Sequence, residues 1–302
     1  MADLVSAGND VLTRGMTDRA AALAARACAL DPGSGSALKL AAEIARVQGD
    51  LAGANEAYCL WHAAAPEDPE AYYAACLLSG VELPQAPDVA APAAFVVEDN
   101  FLSPLQQGLV AAQVFEHMDE MVEASVVQSG ESQQDDASRS ARVLYDPDPV
   151  QSWFAPLILA YLPYALPRLG LAAFPVQQVE LQLTASYHGD FYKAHHDVTL
   201  GEIDSVAGRR VSFVYYFQLG DGSFAGGALR LYDHLAGQGT DTRERYTSVL
   251  PLANRLVLFR SEALHEVMPV EARSGRAEDG RFTLNGWVHG EGQNDWQIDD
   301  RL

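Results

Sequence analysis

Residues 187–197 read Tyr187-His-Gly-Asp-Phe-Tyr-Lys-Ala-His-His-Asp197. Taken with Ser261-Glu-Ala-Leu-His265 and Gly280-Arg-Phe-Thr-Leu-Asn-Gly-Trp287, this stretch decides the fold. His195 and Asp197 stand at i and i+2, so on an extended segment both side chains project from one side. His265 follows the apolar run Leu256-Val-Leu-Phe259 and completes two imidazoles and one carboxylate from another strand. Such a set occupies one face of an iron(II) and leaves three positions open. A second H-x-D, His188-x-Asp190, lies seven residues upstream, but Gly189 makes that tripeptide read as a turn. His196 should point away from the metal, because strand neighbours face opposite sides.

Around this stretch the sequence alternates with a period of two. Residues 179–187, 210–218, 227–232, 255–259 and 282–288 are rich in β-branched and aromatic residues and are joined by Gly- and Asp-containing turns. Many strands at short spacing predict a sandwich or jelly roll. Upstream, residues 95–103 predict a strand, a turn and a helix capped by Ser103, with Pro104 at its first position, running to about Met121. Residues 131–138 are polar and predict a mobile loop, and residues 139–145 enter the sheet. A helix over 150–169 is interrupted in pattern by Pro156, Pro163 and Pro167.

The 302-residue chain is 48% hydrophobic and carries a formal net charge of −21, so it can bury a sizeable core and should repel phosphate backbones and anionic lipid. Nucleic-acid and membrane partners are not expected, and a basic peptide is electrostatically allowed. No apolar run approaches the roughly 18–20 residues of a membrane span, and the N-terminus does not read as a secretory signal. Cys28, Cys59 and Cys76 are odd in number and form no C-x-x-C pair, which suits a reducing cytoplasm.

The front third is Ala-rich and helical in pattern. A 34-residue period relates Gly15 to Gly49, Ala20 to Ala54, Pro32 to Pro66 and Ala37 to Ala71. Each proline stands where one helix has ended and the next begins. With Gly8, Ala20, Ala27, Ala42 and Ala54 at positions where paired helices would touch, the pattern resembles tetratricopeptide repeats, with Trp61 in place of a usual small residue. A fifth helix, from about Pro69 to Leu78, would cap two repeats, and such a short array should lean on the domain that follows. The expected organisation is helical repeats over 1–82, a Pro-rich connector over 83–93, and a second domain over 94–302.

From Phe95 to Trp287 the order of pieces resembles iron(II)- and 2-oxoglutarate-dependent dioxygenases of the prolyl 4-hydroxylase type. The resemblance rests on Tyr187, His195-x-Asp197, Arg210 with Tyr215-Tyr216, Gly226-Gly-Ala-Leu229, His265 and Arg281 six residues before Trp287. It implies an α+β fold: a double-stranded β-helix (jelly roll) with packing helices, preceded by the small all-α domain. It implies iron(II) on His195, Asp197 and His265, 2-oxoglutarate and dioxygen as co-substrates, and ascorbate as an optional reductant. It assigns the distal carboxylate of 2-oxoglutarate to Arg281 with Tyr216 and Tyr187. Arg230, Arg142 and Trp287 are the candidates for substrate contact. Arg273 and Arg276, in a longer than usual segment before Arg281, compete for the anion role.

The implied activity is hydroxylation of a protein or peptide side chain, the repeats serving to grasp polypeptide. The alternatives are the same chemistry on a small molecule, such as a free amino acid or a natural-product intermediate, and an interaction protein with an inactive oxygenase fold. A zinc hydrolase would use the same ligands but lacks an H-E-x-x-H helix and leaves Arg281 without a task. Substrate choice would lie in loops 125–138 and 201–208; the oligomeric state has no signal in the sequence.

Overall fold

The computed structural model describes residues 1–128, 131–133, 135, 137–198, 208–219, 224–235, 241–272 and 276–290. Its contacts form two compact units. One comprises Met1–Ala94 with Arg230–Val249; the other comprises Phe95–Leu229 with the described residues from Leu250 onward.

In the first unit, five helices follow one another: α1 (Ala2–Thr13), α2 (Thr17–Leu30), α3 (Gly35–Gln48), α4 (Leu51–Ala64) and α5 (Pro69–Leu78). Small residues set their spacing. Ala20, Ala27, Ala42 and Ala54 are fully buried, and a Cβ on Gly8 would stand 2.5 Å from Leu40 Cδ2. Pro32 and Pro66 lie in the turns rather than at helix starts; Ser34, Asp50 and Asp68 cap α3, α4 and α5, and Pro69 takes the first-turn position of α5. Side-chain oxygens before the first turn satisfy helix amides that proline cannot.

The same unit includes strand Leu229–Leu235 from Arg230 onward and its partner Asp241–Val249, and Ala90–Ala91 pairs with the first of them. The helices meet these strands through charge. Arg46 of α3 is 1% exposed and grips Asp233 with both terminal nitrogens, Nη2 donating to Oδ2 at 2.8 Å, while Nη1 also donates to Thr247 Oγ1 at 3.1 Å. Arg245 donates to Glu43 at 2.7 Å.

The second unit holds a seven-stranded antiparallel sheet in the order Phe95–Asp99, Arg255–Arg260, Arg209–Phe217, Arg281–Gly290, Val176–Ser186, Arg142–Tyr145, Val122–Glu123. A smaller ladder joins Arg139–Ser140, Phe191–His195 and His265–Val267. The chain passes repeatedly between the two ladders, as a double-stranded β-helix requires, so the fold is α+β, with a β-rich domain that follows five helices in the sequence.

Alternation gives the large sheet two unlike faces. Val179, Leu181, Leu183 and Ala185, with Phe282, Leu284 and Val288, are buried on one side. Helix α7 (Val150–Arg168) contributes to that core, its Phe154 ring lying 6.2 Å from Phe213 and 5.5 Å from Tyr215. This helix is continuous despite its three prolines. Phe154, Ile158, Leu162 and Ala165 form the buried stripe, whereas Ser152, Leu159 and Pro163, whose carbonyls the prolines leave without helical donors, are all exposed to water. Helix α6 (Pro104–His117) starts at the Ser103–Gln106 capping box and passes into a 3-10 turn ending at Glu120. Asn254 takes φ +61° at the turn into Arg255–Arg260, a conformation Asn tolerates, and ties both backbone polar groups of Leu102.

Removing Arg46 takes from the buried Asp233 the guanidinium that grips both of its oxygens. Arg46→Ala should destabilise its unit by about 3–5 kcal/mol in urea denaturation, and Arg46→Met with Asp233→Leu should recover most of that loss.

Candidate metal centre

His195 and His265 are direct partners across an antiparallel pair, so their side chains leave the ladder on the same side. A register shift between His265 and Val267 marks a bulge beside the second histidine. Asp197 lies just beyond Phe191–His195 and is held by its backbone, its N–H donating to the Ser261 carbonyl at 3.0 Å. Its Oδ1 is 3.6 Å from His195 Nε2, and its Oδ2 is 3.5 Å from His265 Nε2. One ligand atom from each of the three residues lies within 4.8 Å of the others.

The surrounding polar groups orient these ligands. His195 Nδ1 lies 2.8 Å from the Lys193 carbonyl and His265 Nδ1 2.9 Å from the Ala263 carbonyl. A carbonyl only accepts, so each Nδ1 carries the proton and each Nε2 presents its lone pair to the centre. Ser212 Oγ donates to Asp197 Oδ2 at 2.6 Å and is itself 3.0 Å from Ser261 Oγ. Burial, reinforced by His195, pushes the His265 imidazole down to about 4 against the pull of Asp197, so its ring is neutral at pH 7. Burial alone would raise the Asp197 pKa, but His265, His195 and Arg209 outweigh it and hold the carboxylate well below its usual range. A neutral imidazole at His265 beside a carboxylate suits metal binding, which needs unprotonated ligands.

The cluster opens into a cavity of about 230 Å³. The cavity side of the large sheet is polar at every second position: Glu180, Gln182, Thr184 and Ser186 on one strand, Arg281, Asn285 and Trp287 on the next. Arg281 is 3% exposed, its Nε donates to the Gly227 carbonyl at 2.9 Å, and no carboxylate pairs with it among the described residues. Its guanidinium lies 5.0 Å from the Tyr216 ring centroid. Tyr216 and Thr283 are ladder partners, and each has a buried hydroxyl with no hydrogen-bond partner among the described residues. A buried cation lacking its anion, flanked by two idle hydroxyls, fits the far carboxylate of 2-oxoglutarate, while the three-ligand face fits iron(II) with positions left for that keto acid. Gly227, at φ +64°, makes this possible: a Cβ there would come within 2.6 Å of Arg281 Cδ.

The other expected residues fall in varied places. Trp287 lines the cavity, with Arg209 over its ring at 3.7 Å and its own Nε1 buried without a partner. Tyr187 is half-buried, edge-on to Phe282 at 6.4 Å, and is not among the cavity-lining residues. Arg142 is exposed and ion-paired with Glu123 at 3.6 Å, away from the cavity lining. Arg230 belongs to the other unit, where its guanidinium covers Tyr246 at 4.2 Å. Arg276 is exposed and pairs with Glu278 and Asp279; Arg273 lies outside the described residues, as do residues 201–207 of one expected substrate loop. His188-Gly-Asp190 is a turn: Gly189 has φ +90°, and Asp190 Oδ2 accepts the Tyr187 N–H at 2.7 Å. His196 stays outside the ligand cluster, its Nδ1 2.8 Å from the Glu262 carbonyl.

Four participants were not anticipated: Ser212, Ser261, Arg209 and Tyr192. Arg209 makes a two-pronged pair with Glu180 and donates to the Asp197 carbonyl at 3.3 Å. Tyr192 stacks on the His195 ring at 3.5 Å. The signal for Ser212 was present as a lone hydroxyl between Val211 and Phe213, on the face that Tyr216 also occupies. Ser212→Ala should weaken iron(II) or cobalt(II) binding by about 10- to 100-fold in an anaerobic titration while leaving the fold intact.

Against known proteins, residues 181–289 match the family model described as the 2OG-Fe(II) oxygenase superfamily. An uncharacterised PKHD-type hydroxylase of Synechocystis sp. is 29% identical over 207 residues, which span 68% of this chain and 66% of that relative. Among solved structures, a Trichoplax adhaerens prolyl hydroxylase in complex with a hypoxia inducible factor peptide fragment aligns at 19% identity and TM-score 0.48, covering 65% of this chain and 83% of that one. A Pseudomonas putida prolyl-4-hydroxylase aligns at 22% identity and TM-score 0.43, over 66% and 94% respectively. No described helix is long and apolar enough to cross a membrane. The match to the 2OG-Fe(II) oxygenase superfamily falls on residues 181–289, which contain the whole ligand cluster and Arg281, and the cofactors it points to are iron(II) and 2-oxoglutarate.

Proposed function

We propose that this protein hydroxylates a C–H bond of a protein or peptide side chain in the manner of a prolyl hydroxylase, converting 2-oxoglutarate to succinate. One observation carries the reading. A two-histidine, one-carboxylate cluster and a buried arginine without a counter-ion line the same cavity. Iron(II) with 2-oxoglutarate supplies the oxidising power for an unactivated C–H bond. The chain's own residues bind and aim it. His195, Asp197 and His265 hold the metal on one face. Arg281, with the Tyr216 and Thr283 hydroxyls, fixes the far end of the co-substrate. Gly227 gives Arg281 room and an acceptor. Ascorbate enters only as an optional reductant.

The five helices supply the argument for a polypeptide substrate, read as tetratricopeptide-like repeats over 1–82 joined by 83–93 to the oxygenase domain. Arg230, on the strand that these helices pack against, would then stand near a bound polypeptide. Three free cysteines suit a cytoplasmic setting. The same chemistry on a small molecule is the second reading, since the cavity is lined by many hydrogen-bonding groups. A truncation at residue 82 would not separate the two, because α3 is ion-paired to strands Leu229–Leu235 and Asp241–Val249 and its loss would take Glu43 from Arg245 and Arg46 from Asp233. The comparison belongs on the full chain, with free amino acids set against peptides.

Anaerobic titration with iron(II) and 2-oxoglutarate should raise the weak visible charge-transfer absorption of a keto-acid chelate, and Asp197→Ala should abolish it. Gly227→Ala, which crowds Arg281, should weaken 2-oxoglutarate at least about tenfold and leave iron affinity unchanged. Metal binding without the chelate signal in the wild-type chain would refute the co-substrate assignment.

A further inference from the structure

Five charged side chains other than histidine line the cavity among the described residues: Arg139, Glu180, Asp197, Arg209 and Arg281. Asp197 faces the two imidazoles, and Glu180 is taken by Arg209 and His289. Two guanidiniums are left over. Arg281 has a use under the reading above. Arg139 does not.

Arg139 is 8% exposed, and its neighbours account for little of its hydrogen-bonding capacity. Nη1 donates to the Ser125 carbonyl at 3.2 Å, and the guanidinium lies over the Tyr192 ring at 4.8 Å. A guanidinium has five N–H donors, and a ring face satisfies none of those at its edge. No carboxylate pairs with Arg139 among the described residues, although the chain has 41 acidic residues against 20 basic ones, so counter-ions are not scarce. Its placement is also specific. Arg139 is the ladder partner of Tyr192, and Tyr192 is the ring that stacks on the ligand His195. The cation therefore borders the metal site from the smaller ladder, whereas Arg281 comes from the large sheet.

We infer that Arg139 is a specificity-determining residue that anchors a carboxylate of the prime substrate. A planar fork in a partly dry cavity binds a carboxylate through two parallel hydrogen bonds, and the bound anion supplies the charge the site lacks. The anion is carried either by a free amino acid or by an acidic side chain of a peptide. This rests on the proposed function in one respect, that Arg281 is occupied by 2-oxoglutarate.

The test uses the full chain, held anaerobic with iron(II) and 2-oxoglutarate so that nothing turns over. Ligand-observed NMR then compares free amino acids with their carboxamides, and end-blocked Asp- or Glu-containing peptides with their Asn or Gln counterparts. At least one carboxylate series should bind, with its amide partner weaker by about 10- to 100-fold. Binding confined to amino acids identifies a small-molecule substrate; binding confined to acidic peptides identifies a polypeptide. Arg139→Gln should remove the discrimination while the chelate absorption still forms, which also reports that the variant is folded. Arg139→Lys should keep the preference for the carboxylate at reduced affinity. If the chelate never forms in the wild-type chain, the proposed function falls and this inference with it. If the chelate forms but no carboxylate binds, or amides bind equally, or Arg139→Gln binds carboxylates as the wild type does, only this inference is overturned. Loss of 2-oxoglutarate affinity in Arg139→Gln would also overturn it, by placing Arg139 in the co-substrate site.

Discussion

His195 and His265 occupy one rung of an antiparallel ladder, and the centre of this protein depends on that register. A slip by one residue would turn either imidazole to the opposite face. The constraint extends outward from the rung. Backbone carbonyls of Lys193 and Ala263 orient both rings, and Ser261, four residues before His265, accepts the Asp197 amide. The segment that delivers the second histidine thus also positions the carboxylate. Ser212 links this group to the large sheet through its bond to Asp197. The two ladders are joined at the ligand that sits outside both of them.

The large sheet separates two kinds of environment by alternation alone. From Val179 to Ser186 its odd-numbered residues build an apolar core, and its even-numbered ones line a polar cavity. The strand Arg281–Gly290 repeats the pattern in the opposite parity, with Phe282, Leu284 and Val288 inside the core and Arg281, Asn285 and Trp287 at the cavity. Gly286 keeps the strands close, because a Cβ there would meet Phe213 Cζ at 2.2 Å and the Glu180 carbonyl at 2.3 Å. Polar groups buried on the cavity side have partners in part, and those left idle at Tyr216 and Thr283 surround Arg281. Idle buried polar atoms are costly in a finished core and reasonable in a ligand site.

The helical unit is held in a different way. Its helices meet through alanines and Gly8, which bring backbones close, but its junction with strands Leu229–Leu235 and Asp241–Val249 is ionic. Arg46 with Asp233 and Arg245 with Glu43 fix which helix meets which strand. Buried ion pairs add little net stability when complete, but they penalise every arrangement that leaves one charge alone.

Much of this was legible in the linear chain. His195-x-Asp197 and His265 were readable because metal chemistry restricts which residue types can serve, whereas Arg281 was singled out by the resemblance alone. The strands were readable because their period is two, and the helices because alanine-rich runs, the 34-residue period and the cap Ser103 mark them; the caps Ser34 and Asp68 emerged only in the structure. Three things were not legible. The continuity of α7 depends on which face its prolines take, and that face is set by packing on Phe213 and Tyr215. Arg139 looked like any strand arginine, since nothing local shows that it is buried and lacks an acid. The partnership of residues 230–249 with the helices joins positions nearly two hundred apart in sequence, as the Arg46–Asp233 pair does. The sequence by itself determined which residues can carry the chemistry, because that is a property of side-chain type and spacing. Only the tertiary structure decided which charges are paired and which are left facing the cavity, because pairing depends on distances between segments that no local pattern encodes.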